Sequence, residues 1–183
     1  ALSGATTEAD GNTAIGYQSM DGNWTTAAHV NSVAVGFKTM RGALTSDSSN
    51  TVAIGANALN ALTSGQYNTA IGFEAGLVLT ELDKNTLIGY QAGKALSGSA
   101  GGGTHTFVGY KAGAANTTGN SNTFVGSEAG ASTTVGLQNT AMGRGALFTA
   151  DGGESNNVAI GMFAMQLVNN NSSDDNVVIG LEA

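Results

Sequence analysis

A short motif recurs along the whole chain and limits what the chain can fold into. The motif is Asn-Thr-Ala-Ile-Gly or a near copy, and its closing glycine returns every 17–20 residues. A fixed period of this kind indicates a repeat architecture. The closing glycines are Gly16, Gly36, Gly55, Gly72, Gly89, Gly109, Gly126, Gly143, Gly161 and Gly180.

Each repeat unit is called a coil here, and the coils are numbered one to ten in the order of their closing glycines. Every coil has the alternation of a β-strand. Counting from the closing glycine, place −1 is always Ile, Val or Met, and place −3 is always Thr or Val. This period of two and these residue types are typical of strands. The rest of each coil is rich in Gly, Ser, Thr and Asn, which suits turns. We therefore predict an all-β fold, a parallel β-solenoid or β-roll of about ten 17–20-residue coils. Residues 1–183 are expected to form a single repeat domain within a longer fibrous protein.

The composition excludes several classes of function. The chain has no cysteine, so disulfides and thiolate metal sites are excluded. It also has no proline, which fits strands that have neighbours on both sides and need every N–H group. A formal charge of −7 disfavours binding to nucleic acid or anionic lipid. No apolar run approaches the ~18 residues of a membrane span. We expect no nucleic-acid partner and no membrane insertion.

The alternation predicts which side chains face inward. We expect places −3, −1, +1 and +3 to line the interior and places −2, +2 and +4 to point outward. Side-chain volumes at −2 and +4 compensate for each other, as in a close-packed layer. This predicts an outward layer that is buried between chains. Its members would include Ala53, Leu59, Leu87, Phe107 and Phe124. The alternative is that the alternation breaks at the glycine and the layer faces inward.

Place −4 carries an asparagine in seven coils, with Ser32, Thr51 and His105 in the others. Stacked amides in successive coils can form a hydrogen-bonded ladder. The proposed ladder comprises Asn12, Asn68, Asn85, Asn122, Asn139, Asn157 and Asn176.

The repeats resemble those of two families of fibrous proteins. Residues 31–36 (Asn-Ser-Val-Ala-Val-Gly) and 50–55 (Asn-Thr-Val-Ala-Ile-Gly) resemble the head repeats of trimeric autotransporter adhesins. Residues 68–76 and 117–126 are more similar to related repeats of bacteriophage tail fibres. The resemblance implies a left-handed parallel β-roll that assembles as a homotrimer. Links longer than those of adhesin heads favour the tail-fibre side.

A search for chemistry finds no catalytic constellation, and we expect no enzyme, no cofactor and no metal site. His29 and His105 lie in or beside links without a nucleophile elbow, so exposed positions are expected, with a structural role for His105. The acidic groups at 81–83 and 174–175 are expected to be solubilising, with calcium binding as the alternative. Trp24, the only tryptophan, would contact a sugar if it is exposed on a loop, or else cover the end of the core.

The function that these observations favour is a structural and adhesive fibre segment. It would belong to a virion tail fibre or similar appendage and support attachment to the host surface. The expected partners are two further copies of the chain and a host cell-surface glycan or protein receptor. The close alternative is a bacterial adhesin head on the extracellular cell surface. Alternatives of another class are a solenoid polysaccharide depolymerase and an ice-binding solenoid. The latter needs an exposed threonine row, whereas threonine at −3 is predicted to be interior.

Overall fold

The computed structural model of the protein describes residues 10–22, 29–45, 48–98, 102–150, 153–168 and 174–183. These residues form an all-β solenoid, as predicted, with no α-helix among them. The described residues contain twelve short strands: β1 Thr13–Ile15, β2 Val33–Val35, β3 Val52–Ile54, β4 Thr69–Ile71, β5 Thr86–Ile88, β6 Thr106–Val108, β7 Thr123–Val125, β8 Thr140–Met142, β9 Thr149–Ala150, β10 Val158–Ile160, β11 Leu167–Val168 and β12 Val177–Ile179.

Ten of these strands stack into one parallel sheet, in the order β1 to β8, then β10 and β12. Each strand holds places −3 to −1 of its coil, and the register pairs equal places in successive coils, as in Ala53 with Ala70. The remaining two strands, β9 and β11, pair with each other in parallel beside the main sheet. Because the register never shifts, each place of the repeat becomes a column of side chains along the rod.

The closing glycine ends each strand for two physical reasons. In the sheet these glycines have φ between 125° and 146°, a backbone region that residues with a Cβ rarely adopt. They also lie close together, since a Cβ on Gly89 would approach the carbonyl oxygen of Gly109 to 2.3 Å. The sharp bend and the tight stacking therefore both require glycine.

After the glycine the backbone stops alternating. Places +2 and +4 both take the left-handed conformation, as in Lys38 (φ 54°) and Met40 (φ 48°). None of the residues at these two places is β-branched, in keeping with the steric limits of that region. The bend turns both +3 and +4 inward, so Thr39 and Met40 are buried side by side. The alternative that the alternation breaks at the glycine is therefore the one observed.

The layer formed by places −2 and +4 lies inside the single chain. Ala53, Leu59, Leu87, Phe107 and Phe124 are each 0% exposed without any partner chain. The prediction that these residues form an inter-chain layer was wrong. The physical reason is volume: a coil this short encloses little space, so its interior takes small residues at +3 and, at −2 and +4, pairs of residues whose volumes compensate for each other.

The volume compensation read from the sequence is real and can be seen in atomic contacts. A Cβ on Gly113 would lie 2.5 Å from Cε2 of Phe107. Coil four has glycine at +4 (Gly76) and only alanine at −2 (Ala70). The space beside Gly76 is filled by side chains from both neighbouring coils. A Cβ there would lie 2.8 Å from Leu59 and 2.9 Å from Leu87. Large residues thus fill space above and below their own coil.

Inside the coil, the asparagine column forms hydrogen bonds between successive coils. Three steps join amide to amide: Asn85 donates from Nδ2 to Asn68 Oδ1 at 2.9 Å, Asn139 to Asn122 at 3.2 Å, and Asn176 to Asn157 at 3.0 Å. The Oδ1 of Asn12 instead accepts the backbone N–H of Ser32 at 2.9 Å. These bonds satisfy polar atoms that the narrow interior shields from water.

His105 takes the place of an asparagine in this column. Its Nδ1 faces the backbone N–H of Asn122 at 3.3 Å, and its Nε2 lies 3.0 Å from the carbonyl oxygen of Gly119. Asn122 makes the equivalent pair of contacts one coil later, to Asn139 N and Gly136 O. A neutral imidazole with the proton on Nε2 therefore reproduces the donor and acceptor of the amide.

Candidate interaction face

The outward face of the ten-stranded sheet consists of two columns of apolar and β-branched side chains, named here the apolar face. None of its members is buried, and the exposed fraction in the middle strands is still 38% for Ile54. The columns are Ile15, Val35, Ile54, Ile71, Ile88, Val108, Val125, Met142, Ile160 and Ile179 at −1, and Thr13, Val33, Val52, Thr69, Thr86, Thr106, Thr123, Thr140, Val158 and Val177 at −3. The prediction that these places are interior was wrong, since the bend at the glycine puts −2 inside instead.

Beside the apolar face, place +1 forms a column of exposed aromatic rings. Tyr17 stacks on Phe37 with ring centroids 5.6 Å apart. Farther along, Tyr90 stacks on Phe73 at 5.4 Å and on Tyr110 at 5.3 Å. These five rings are 41–67% exposed. The column was also predicted to be interior; it lies outside because the turn that follows each glycine carries it away from the core.

Charged groups flank the aromatic column. The Lys94 ammonium is 2.8 Å from the Glu74 carboxylate, which also accepts a hydrogen bond from Gln91. These bonds, chiefly the one from Lys94, lower the pKa of Glu74 below its usual value. The ammonium groups of Lys38 and Lys111 lie over the rings of Phe37 and Tyr110, 5.0 and 5.3 Å from the centroids. Two of the exposed rings, Phe37 and Tyr110, therefore have a positive charge over them.

Both histidines are buried, not exposed as predicted. Burial lowers the pKa of His29 and of His105 to about 4, so each imidazole is neutral at pH 7. Nδ1 of His29 lies 2.9 Å from the Ser48 hydroxyl, and His105 belongs to the asparagine column. The Ser48 hydroxyl also donates to the carbonyl oxygen of Thr45 at 2.6 Å. These contacts hold the coils together.

The acidic residues considered for calcium make contacts between coils. A carboxylate oxygen of Asp83 accepts the backbone N–H of Gln66 at 2.8 Å, and one of Asp174 accepts that of Ser155 at 2.7 Å. In the described part of the chain, no group of three or more His, Asp or Glu side chains could hold a metal ion. Trp24, the candidate sugar contact, lies outside the described residues.

No protein-family model, curated protein or solved structure matches the chain. Among the residues that the structure describes, no helix has the length and apolar character needed to cross a bilayer. The feature with the clearest capacity to bind is the apolar face with its aromatic edge. Sequence reasoning missed it, although the small residues at +3 in every coil and the volume compensation between −2 and +4 were usable signals that these places are interior.

Proposed function

We propose that this chain is a structural and adhesive segment of a fibre, assembled as a homotrimer through the apolar face. One observation carries the proposal: an uninterrupted column of exposed or half-buried Ile, Val and Met side chains at −1 runs along all ten strands of the sheet, about 43 Å at 4.8 Å per spacing. A contiguous apolar surface of this length marks an interaction site. The resemblance of the repeats to adhesin heads and tail-fibre repeats supports three chains, a left-handed roll and a place in a virion tail fibre or similar appendage.

The geometry suits such an assembly. Every coil presents the same kind of residue at the same place, so three parallel rods around a common axis bring equal coils to equal heights. Ile, Val and Met at −1 and Val and Thr at −3 can then pack on their counterparts without burying a charge. A rigid three-fold rod spaces and displays binding sites, and repeated display raises avidity for a surface with many copies of a ligand.

Sedimentation equilibrium in the presence of a chelator tests the assembly. We expect three times the chain mass of 18.1 kDa. The double variant Ile71→Lys with Ile88→Lys should sediment as a folded monomer, since its charges lie on the apolar face. Thr118→Lys, on an exposed link, is the matched control and should remain a trimer. A wild-type chain that is monomeric and folded would contradict the proposal.

One observation favours a second candidate, an ice-binding solenoid. Threonine at −3 faces outward, contrary to the prediction that it is interior, and it occupies five successive strands, β4 to β8. A flat, regular threonine row is what such a function needs. Thermal hysteresis and ice-crystal shaping by the wild type, absent in Thr86→Lys with Thr106→Lys, would support this candidate. Their absence in the wild type would remove it.

A further inference from the structure

The column of stacked rings at place +1 has a gap one ring wide. Coils one and two contribute Tyr17 and Phe37, and coils four to six contribute Phe73, Tyr90 and Tyr110. Coil three has Ala56 at that place. We call the space between Phe37 and Phe73, above Ala56, the coil-three notch. Because strands in the sheet are in register, its two rings are separated by two coil heights, about 10 Å.

This spacing fits one further ring. Rings in neighbouring coils stack with centroids 5.3–5.6 Å apart and nearly parallel planes, 12–14°. A ring inserted above Ala56 would therefore lie at stacking distance from both Phe37 and Phe73. Both walls are solvent-accessible, with exposed fractions of 46% and 41%. The face of an aromatic ring is electronegative and attracts the polarised C–H groups of a pyranose.

Two polar groups beside the notch indicate the chemistry of its occupant. The Lys38 ammonium lies 5.0 Å from the centroid of the Phe37 ring. The side-chain amide of Asn57, the residue after Ala56, makes no hydrogen bond within the described part of the chain. The carboxylate on the Phe73 side, Glu74, is already bound by Lys94 and Gln91. The notch therefore offers a cation and an amide beside two apolar walls, while the nearest acid is neutralised.

We propose that the coil-three notch binds a pyranose ring that carries a carboxylate, such as a uronic acid unit of a surface polysaccharide. The sugar ring stacks between Phe37 and Phe73 in place of the Lys38 ammonium, which moves off the Phe37 ring and pairs with the sugar carboxylate. A hydroxyl of the sugar bonds to Asn57. Proteins that recognise sugars combine aromatic faces with a few polar groups in this way because sugars have both apolar and polar sides. The inference rests on the attachment role proposed above, but it does not depend on the number of chains in the assembly.

Calorimetric titration with a tetramer of galacturonic acid tests the proposal, with its neutral methyl ester as the ligand control. We expect the acid to bind and the ester to bind about tenfold more weakly, the equivalent of one charge-assisted contact of about 1.4 kcal/mol. Lys38→Gln should reduce affinity for the acid to a similar extent and leave the ester unaffected. Equal binding of acid and ester would overturn the assigned role of Lys38.

The decisive variant fills the notch. Ala56→Phe completes the column with the residue that coils two and four already have at that place, so the fold should be kept and binding lost. Ser127→Phe is the matched control: it adds a ring beyond Tyr110, leaves the notch open and should bind as the wild type does. Ala56→Leu fills the notch without an aromatic ring and should also abolish binding, which keeps the test decisive if Ala56→Phe folds poorly. Sedimentation of the same samples reports the assembly separately. A wild type that does not bind the acid, or a folded filled variant that still does, would overturn the proposal.

Discussion

Phe107 occupies the space that a side chain on Gly113 would need. A Cβ added to Gly113 would lie 2.5 Å from Cε2, 2.6 Å from Cδ2 and 2.7 Å from Cζ of the Phe107 ring. The ring also stacks on Phe124 with centroids 4.9 Å apart, which limits the room it has to move away from Gly113. Within a single coil, phenylalanine at −2 therefore requires glycine at +4, because its ring fills the space beside that glycine.

Gly113→Ala should destabilise the coil by about 1–3 kcal/mol through overpacking, with a further cost for a left-handed backbone at φ 58°. Chemical unfolding measures the loss. Phe107→Leu in the same chain should recover part of it, because the smaller side chain frees the space near the new methyl group. If the two substitutions were strictly additive, the methyl group would not be meeting the ring, contrary to this packing.

Copying the residues at −2 and +4 of coil six into coil three tests the same packed layer. Ala53→Phe should cost about 1–3 kcal/mol through overpacking, and Leu59→Gly should cost about 2–5 kcal/mol through lost burial. The double variant copies the arrangement of coil six, so we expect a coupling energy above about 0.5 kcal/mol. Rescue will be incomplete, since Leu59 also fills the space beside Gly76 in the next coil.

The coupling in coil three should be the same in a monomeric background, such as the Ile71→Lys and Ile88→Lys variant. This follows because both residues are fully buried within one chain. Coupling seen only in the assembled form would place the layer between chains and contradict the structure.

The sequence predicts the fold and the pairs of residues that pack together in the interior. It does not predict which side of the sheet is buried. Periodicity and residue type predict the strands because each three-residue strand is bounded by the place −4 residue and glycine. Volume compensation predicts that Ala53 and Leu59 share a layer. Strict alternation predicts the wrong face because two left-handed residues after each glycine, such as Lys38 and Met40, shift the phase of the alternation. Strict alternation puts place +1 in the interior, so it does not predict the coil-three notch.

A buried asparagine in coil six offers a route to higher stability. Asn116 lies at place +7, where coils three to five have Leu62, Leu79 and Leu96, all buried. Neither polar atom of its side chain has a hydrogen-bond partner among the described residues. Asn116→Leu should stabilise the protein by about 1–3 kcal/mol, the usual cost of an unsatisfied buried polar group, and thermal unfolding would show it.

Asn122→Leu is the matched control for Asn116→Leu. Its amide donates to Gly136 O at 2.7 Å and accepts from the backbone of Asn139 at 2.8 Å. The same substitution should therefore destabilise the chain at this position. If both variants moved stability in the same direction, hydrogen bonding would not be what distinguishes the two asparagines.

The two buried histidines should make stability depend on pH below about 6.5. The pKa of each imidazole is 6.5 in the unfolded chain and about 4 in the folded one, because burial disfavours the charged form. Between these values the unfolded state binds more protons, so stability is complete above pH 6.5 and falls as the pH falls towards 4. Protonation of His105 would also replace its Nδ1 acceptor by a donor that faces the N–H of Asn122.

Urea unfolding at pH 7 and pH 5 would measure this dependence before most carboxylates titrate. Each histidine should contribute a loss of about 2 kcal/mol, because the unfolded pKa lies 1.5 pH units above 5 and one unit is worth about 1.36 kcal/mol. His105→Asn restores the amide found at this place in seven other coils, so it should keep the fold and remove about half of the loss. His29 remains in that variant as an internal reference. An unchanged difference between pH 7 and pH 5 in His105→Asn would show that the ladder histidine is not held neutral by the interior.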